Sequence, residues 1–265
     1  MTRTYLRYVA LGDSQTEGMN DGDDTGGYRG WADRLAEQLA AADPRVRYAN
    51  LAVRGRTAHQ VRAEQLPVAL DLRPDLATVM IGMNDLLRPR FHATSVARHH
   101  EHIFEALTGQ GAHVVTFRFP DPGLLVPAAR WLTRRTHELN ARVREAADRH
   151  GATVVDLFAH PVCTDPRLWS ADRLHLNALG HSVLAAAVAH ALDLPGSDVA
   201  WSNPLDPLER PTSWRRAGTE LRWATGFVGP WLVRRAFGRS SSDGRTAKRP
   251  VLTPVGPRPE RDHVS

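Results

Sequence analysis

Three residues that lie far apart in the sequence could together activate a serine hydroxyl. Ser14 follows a β-prone segment, and Asp172 and His175 lie three residues apart in a later segment. A serine hydroxyl is a poor nucleophile at neutral pH, so it needs an adjacent base, and the base needs a group that orients it. One tight turn can bring the Asp172 carboxylate to Nδ1 of His175, which leaves Nε2 facing the serine. This combination indicates nucleophilic catalysis.

Attack of a serine on an ester carbonyl creates an oxyanion, so the same site needs hydrogen-bond donors. The backbone N–H of Ser14, the backbone N–H of Gly55 and the side-chain amide of Asn84 are the candidates for this oxyanion hole. Glycine at position 55 allows the backbone to approach closely. Loss of one such donor typically costs about 2.7–4 kcal/mol of transition-state stabilisation.

Strand-like and helix-like segments alternate through the first 195 residues and would position these groups. Apolar, β-branched runs predict five strands, at 5–11, 46–51, 75–81, 112–117 and 152–157. Segments with helical spacing lie between them, such as the stripe of Trp31, Leu35 and Leu39. A helix near 128–150 is predicted to stop at Gly151, and Asn177 is predicted to cap a final helix.

Five strands that alternate with helices predict an α/β fold with a parallel sheet covered on both faces. In such sheets, ligands bind beyond the carboxyl ends of the strands. The polar segments follow four of the predicted strands, at 12–18, 50–55, 82–85 and 172–175. We therefore expect these segments to meet at one edge of the sheet.

These segments resemble the ordered blocks of the SGNH hydrolases, also called the GDSL esterase/lipase family. Gly-Asp-Ser at 12–14 resembles the nucleophile block, Gly55 the glycine block, Gly-Met-Asn-Asp at 82–85 the GxND block, and Asp172 with His175 the terminal DxxH block. The resemblance covers about residues 5–195. It implies a flavodoxin-like three-layer α/β/α sandwich with a five-stranded parallel sheet, and it implies no cofactor.

The resemblance also implies roles for individual residues. By it, Ser14, Gly55, Asn84 and His175 take the four name-giving roles, and Asp172 supports His175 in a catalytic triad. Gln15 stands where the block name has leucine, and we expect it to affect local packing or the rim of the site more than the mechanism. A second resemblance, to an intracellular bacterial subgroup, rests on segments 28–35, 84–89 and 165–169 and on the Trp/Arg-rich tail.

Neighbouring side chains are expected to support the site. We predict that Asp13 caps the helix that begins at Ser14, and that Asp85 bonds loop amides and holds Asn84 in place; the alternative gives Asp85 a direct catalytic role. The predicted acyl pocket, which favours short to medium acyl chains, uses five loop residues: Met19, Met83, Leu86, Phe119 and Leu124.

Other kinds of site are less well supported. The glycine-rich segment 12–27 fits neither GxxxxGK[ST] nor GxGxxG, so nucleotide binding is not indicated. His92, His99, His100 and His102 lack HExxH spacing, and we predict surface or rim histidines and no metal site. The single cysteine, Cys163, excludes an intramolecular disulfide and is expected to be a buried thiol.

Charge and tryptophan are concentrated near the end of the chain. Residues 1–195 hold 22 basic and 22 acidic residues, whereas residues 196–265 hold 12 basic and 7 acidic residues and four of the seven tryptophans. This shift predicts a boundary near residue 195. Residues 1–195 would then be the domain for which the resemblance implies a hydrolase, followed by a basic helical extension at 196–238 and a disordered tail at 239–265. In the interpretation that we prefer, the tryptophans of the extension pack on the domain and its arginines stay in contact with water. The alternatives are a weak membrane-surface contact and a nucleic-acid patch, and we expect no nucleic acid.

Composition narrows the functional class further. With 42% hydrophobic and 24% charged residues, the chain is neither disordered nor fibrous. No secretory signal pattern is found, so we expect a cytoplasmic protein.

Taken together, the candidate triad and the resemblance predict a serine esterase that cleaves short to medium acyl or O-acetyl esters through an acyl-enzyme on Ser14. The alternatives are a lysophospholipase, a carbohydrate O-deacetylase and a protein that binds lipid or a partner through its tail; acyl transfer to an alcohol and the oligomeric state stay open.

Overall fold

A six-stranded sheet forms the centre of the protein in the computed structural model, which describes residues 3–207 and 244–256. The strands of this sheet are β1 (Arg7–Gly12), β4 (Arg47–Asn50), β5 (Leu76–Met80), β6 (His113–Arg118), β7 (Thr153–Asp156) and β8 (Arg249–Pro254), and a short hairpin is formed by β2 (Gly22–Asp23) and β3 (Gly27–Tyr28). The order across the sheet is β7-β6-β5-β1-β4-β8. Strands β1, β4, β5, β6 and β7 are parallel, and β8 runs antiparallel to β4.

Helices cover both faces of the sheet. The α-helices are α1 (Ser14–Glu17), α2 (Trp31–Ala42), α3 (Ala58–Gln60), α4 (Leu66–Leu72), α5 (Met83–Leu86), α6 (Ala93–Gly109), α7 (Pro122–Leu125), α8 (Thr133–His150) and α9 (Ala178–Ala191). A π-helical turn spans Val61–Gln65, and 3-10 turns span Pro127–Leu132, Pro161–Thr164, Pro166–Leu168 and Val199–Ser202. Helices α2 and α9 pack together on one face, and α4, α6 and α8 pack together on the other. The result is the predicted three-layer α/β/α sandwich.

The sequence patterns explain where these elements lie. Every residue of β5 is buried, as expected for a central parallel strand that is covered on both faces. Helix α2 places Trp31 edge to face against Phe117 of β6, with ring centroids 5.1 Å apart. Helix α8 ends before Gly151, which adopts a left-handed φ of 66°, and Asn177 caps α9 by accepting a hydrogen bond from the Gly180 N–H.

All five predicted parallel strands are present, but the predicted strand number is wrong by one. The sixth strand, β8, lies within the segment 239–265 that we predicted to be disordered, and for residues 249–254 that prediction is corrected. This strand forms because its backbone pairs with the outer edge of β4, a partner about two hundred residues away in the sequence. Most of the predicted helical extension, including its Trp/Arg-rich stretch at 212–237, lies outside the described residues.

Candidate active site

Ser14 lies where the central strand β1 turns directly into the one-turn helix α1. Asp13 caps this helix, because its side chain accepts a hydrogen bond from the Gln15 N–H at 3.3 Å. Gly12 is required by close packing, since a Cβ at this position would lie 2.3 Å from Thr16 Oγ1. The Gln65 side chain holds the Gly12 peptide through two hydrogen bonds of 2.9 Å. The Ser14 hydroxyl is therefore presented by a tightly constrained turn.

The structure brings Ser14, His175 and Asp172 into one hydrogen-bonded chain. Ser14 Oγ lies 2.9 Å from His175 Nε2, and His175 Nδ1 lies 2.8 Å from Asp172 Oδ2. Both the histidine and the aspartate side chains are less than one-fifth exposed. An imidazole in this position can accept the hydroxyl proton, while the carboxylate fixes the tautomer and stabilises the imidazolium.

Asp172 is held in its ionised form by several donors. Its Oδ1 accepts hydrogen bonds from the backbone N–H groups of Leu174 and His175, and its Oδ2 accepts one from the Asn20 side chain at 2.9 Å. Burial by itself would raise the pKa of Asp172, but the hydrogen bonds and the adjacent His175 lower this pKa to about 2. The carboxylate is therefore charged over the whole neutral range.

The three predicted oxyanion donors lie on segments that follow strands at the carboxyl edge of the sheet: Ser14 begins α1, Gly55 lies in the loop after β4, and Asn84 lies in α5. Gly55 adopts a left-handed φ of 78°, which a residue with a Cβ rarely adopts. Its loop is held by the buried ion pair of Arg54 with Glu17, in which Glu17 also accepts the Arg54 backbone N–H at 2.8 Å. The Asn84 amide donates to Asp13 Oδ2 at 2.9 Å and to the carbonyl of Arg56 at 3.1 Å.

Of the two supporting carboxyl groups, Asp85 bonds a loop amide as predicted, but Asn84 is held by Asp13, where we expected Asp85. Asp13 accepts hydrogen bonds from Gln15 and Asn84, and Asp85 Oδ2 accepts one from the N–H of Ala58 at 2.9 Å. Burial raises the pKa of Asp13 to about 7 and that of Asp85 to about 6, with these hydrogen bonds acting in the opposite direction. Asp85 thus bonds a loop amide, and Asp13 orients the Asn84 side chain.

The residues predicted to line an acyl pocket do not share one environment. Leu86 is fully buried and Phe119 is 4% exposed, and both belong to the hydrophobic core. A substrate arriving from solvent cannot contact a side chain that the core encloses, so the prediction is corrected for these two residues. Met19 and Met83 are partly exposed, and Leu124 is 71% exposed.

Sequence reasoning missed two side chains that contact the triad loop. Asn20, whose φ of 67° is left-handed, donates to Asp172. Gln15 bonds the backbone on both sides of His175. The signal for Gln15 was visible as a polar residue where the block name has leucine, but we assigned it to packing or to the rim. No comparable signal marks Asn20, because its role depends on folding that brings it to Asp172.

The histidine cluster is not uniformly at the surface. His100 is 1% exposed, which corrects our prediction for this residue, and burial lowers its pKa to about 4. Cys163 is buried, and burial raises its pKa to about 12. Within residues 3–207 and 244–256, no group of three His, Cys, Asp or Glu side chains is arranged to hold a metal ion. None of the helices described is long and apolar enough to cross a membrane.

Known structures share this fold. An α/β hydrolase from the metagenome of Lake Arreo, Spain, superposes with a TM-score of 0.59 at 22% identity, covering 70% of this chain and 94% of that one. An acetylxylan esterase from Geobacillus stearothermophilus gives 0.59 at 18% identity, covering 74% and 95%. A lipase/acylhydrolase from Enterococcus faecalis gives 0.58 at 22% identity, covering 70% and 94%. At these identities the likeness establishes the fold.

Sequence comparison identifies the family. No curated protein matches the chain. The family model described as GDSL-like lipase/acylhydrolase matches residues 10–183, which is well over half of the chain and includes the segments that contain Ser14, Asn84 and His175. The chain therefore belongs to the GDSL-like lipase/acylhydrolase family and is an ester hydrolase.

Proposed function

We propose that the protein is a serine esterase in which Ser14 is the nucleophile, His175 the general base and acid, and Asp172 the group that orients His175. The observation that carries this proposal is the continuous chain of contacts from Ser14 Oγ to His175 Nε2 and from His175 Nδ1 to Asp172 Oδ2. An acetylxylan esterase of the same fold has catalytic mutants that replace a serine, an aspartate and a histidine, which are the same three residue types.

The proposed reaction has two halves. His175 Nε2 takes the Ser14 proton as the oxygen attacks the ester carbonyl, and then gives that proton to the leaving alcohol, which leaves an acyl group on Ser14. Water then enters, and His175 takes one of its protons as the water oxygen attacks the acyl carbonyl. His175 gives that proton to Ser14 Oγ as the bond to the acyl group breaks, which releases the carboxylic acid and regenerates the serine. Asp172, ionised at neutral pH, stabilises the imidazolium in both halves.

Ser14, Gly55 and Asn84 are the proposed donors to the oxyanion. The backbone N–H groups of Ser14 and Gly55 have no acceptor among residues 3–207 and 244–256, so both are available to a bound substrate. The Asn84 amide already donates to Asp13 and, over a longer distance, to the Arg56 carbonyl. We propose that the oxyanion replaces this second, longer contact, while Asp13 keeps the amide oriented.

Short acyl esters and O-acetyl groups are the proposed substrates. Leu86 and Phe119 are enclosed in the core, which leaves Met19, Met83 and Leu124 as apolar candidates for contact with the acyl group. The acetylxylan esterase among the structural neighbours favours the carbohydrate O-deacetylase alternative. A panel of p-nitrophenyl esters with two to twelve acyl carbons, run beside acetylated xylooligosaccharides, separates these substrates. The cytoplasmic location stays a prediction from the sequence.

An activated serine can be detected without knowledge of the natural substrate. We expect a fluorophosphonate probe to add one adduct to the intact protein, located by mass spectrometry at Ser14. We also expect hydrolysis of p-nitrophenyl acetate or butyrate, with nearly all of the rate lost in Ser14→Ala. Ser170→Ala is the matched control, because this serine lies in the triad loop but does not contact His175 Nε2. Unchanged turnover in Ser14→Ala would eliminate Ser14 as the nucleophile.

A further inference from the structure

The side chain of Gln15 makes two hydrogen bonds with the backbone on either side of His175. Its Nε2 donates to the carbonyl of Leu174 at 2.9 Å, and its Oε1 accepts the N–H of Leu176 at 3.2 Å. Gln15 is 9% exposed, so both bonds are largely shielded from water. The donor and the acceptor of one amide thus hold the peptides that immediately precede and follow the histidine.

This arrangement reproduces the pairing of two parallel strands. In a parallel pair, one residue bonds the carbonyl before and the N–H after the residue that it faces. Here the Gln15 amide takes the place of that neighbouring strand, and His175 is the residue it brackets. Residues 170–175 form an irregular loop in which Arg173 adopts a left-handed φ of 55°. The bridge between Trp169 and Leu176 closes this loop on one side, and the Gln15 amide holds it from the other.

Gln15 follows Ser14 directly on helix α1, so two consecutive side chains of one turn contact His175 and the residues on either side of it. Ser14 meets the imidazole at Nε2, and Gln15 holds the backbone from which the imidazole projects. Gln15 therefore acts on the distance between the serine oxygen and the imidazole in addition to the contact of Asp172 with His175 Nδ1. Misplacement of a catalytic group by about 1 Å can cost about 100-fold in rate.

We propose that Gln15 is a positioning residue for the reaction, which holds the His175 backbone so that Nε2 stays within hydrogen-bond distance of Ser14 Oγ. The inference rests on the proposed function of Ser14 and His175. It replaces the expectation that this position affects local packing or the rim of the site more than the mechanism. A leucine here would fill the space but could bond neither peptide.

Gln15→Met tests the proposal, because methionine has a similar length and volume and cannot form either hydrogen bond. We expect kcat for p-nitrophenyl acetate to fall by about 10- to 100-fold, with KM within about twofold of the original protein. Asn140→Leu is the matched control: the Asn140 amide makes the same kind of reciprocal pair with the Phe119 backbone, away from the triad. We expect that control to lower stability with kcat changed less than about threefold.

Gln15→Glu gives a readout that loss of stability alone would not produce. A protonated glutamic acid can form both bonds, whereas the carboxylate would face the Leu174 carbonyl oxygen with no donor. We therefore expect the ratio of kcat for Gln15→Glu to kcat for the original protein to fall as pH rises from 6 to 9. The corresponding ratio for Gln15→Met is expected to stay constant over that range.

Hydrogen exchange separates a failure of this proposal from a failure of the proposed function. We expect amide exchange in the peptide spanning 168–177 to be faster in Gln15→Met than in the original protein, whether or not esters are cleaved. If the original protein cleaves esters and Gln15→Met keeps kcat within twofold, the proposal is overturned and the role of Ser14 stands. If the original protein cleaves no ester, the proposed function fails and a role of Gln15 in the reaction is overturned with it; faster exchange in 168–177 then shows only that Gln15 holds the loop.

Discussion

Lys248 Nζ donates a hydrogen bond of 2.6 Å to the carbonyl oxygen of Glu17, the last residue of the helix that begins at Ser14. The same ammonium group donates to the carbonyl of Tyr28 at 3.1 Å and to Asp33 Oδ2 at 2.5 Å. It belongs to the only lysine of the chain, and it lies just before β8. The segment that precedes β8 therefore supports the turn that presents the candidate nucleophile.

Removal of the Lys248 ammonium should destabilise the protein. Lys248→Met retains most of the apolar stem and loses all three hydrogen bonds, so we expect the free energy of unfolding to fall by about 2–3 kcal/mol. Urea unfolding followed by circular dichroism measures this change. Lys248→Arg keeps the charge but not the compact three-donor geometry, and should lie in between. A change below about 0.5 kcal/mol for Lys248→Met would show that these contacts contribute little.

Asp172→Asn should abolish most of the activity. Asparagine can keep the Oδ1 contacts with the loop backbone but presents an amide to His175 Nδ1, which favours the wrong tautomer. We expect kcat to fall by about 10³- to 10⁴-fold. Asp165→Asn, a cap in the preceding turn that pairs with Arg167, is the control and should stay within about threefold. Similar losses in both variants would indicate general disruption of the loop.

Asn84→Ala should reduce kcat more than it raises KM, because the oxyanion forms only in the transition state. We expect kcat to fall by about 10²- to 10³-fold. Steady-state kinetics on p-nitrophenyl acetate will measure both constants. The Asp85 side chain accepts the N–H of Ala58, a contact within the protein that an oxyanion does not need. Asp85→Asn is therefore the comparison variant, and its loss of kcat should be clearly smaller. Equal losses would favour the direct catalytic role of Asp85.

His181 should make stability depend on pH. Its Nδ1 accepts the Trp31 N–H and its Nε2 donates to the Met19 carbonyl, and burial lowers its pKa to about 4 from 6.5. Between pH 6.5 and pH 4, His181 is protonated in the unfolded chain but stays neutral in the folded chain. The free energy of unfolding therefore decreases as pH falls from 6.5 towards 4.

Denaturation of the original protein and of His181→Asn at several pH values measures this contribution. We expect the stability advantage of the original protein to shrink by about 2 kcal/mol between pH 7 and pH 5. Comparison of the two proteins at each pH cancels the titration of Asp13 and Asp85, whose raised pKa values act in the opposite direction. A constant difference between the two proteins would contradict the assignment.

The sequence was informative where a local pattern and a general rule of sheet architecture coincide. Ser14, Asn84 and the segment of Asp172 and His175 each follow a strand, and the carboxyl ends of parallel strands share one edge, so their meeting could be predicted. Gln15 and Asn20 could not be assigned in this way, because each contacts a loop more than 150 residues away through side-chain amides. Their geometry depends on tertiary structure rather than on local spacing.

Two further predictions were wrong because of burial in the core and because of strand pairing at the edge of the sheet. Leu86 and Phe119 follow strands, as the substrate-contacting residues were expected to do, but packing of α5 and of the segment after β6 encloses them in the core. Strand β8 carries two prolines and no alternating pattern, so nothing local indicated a strand. Such a sequence is accepted only at the edge of a sheet, where one side of the strand needs no donors.

Strand β8 also determines how the sheet ends. Pro250 and Pro254 lack an N–H, so the outer side of this strand is a poor template for a further strand, whereas the edge of β4 beneath it carries a full set of backbone donors and acceptors. A chain shortened before residue 244 would uncover that edge. Its expected defect is aggregation through strand addition between molecules, even if the triad itself remained intact.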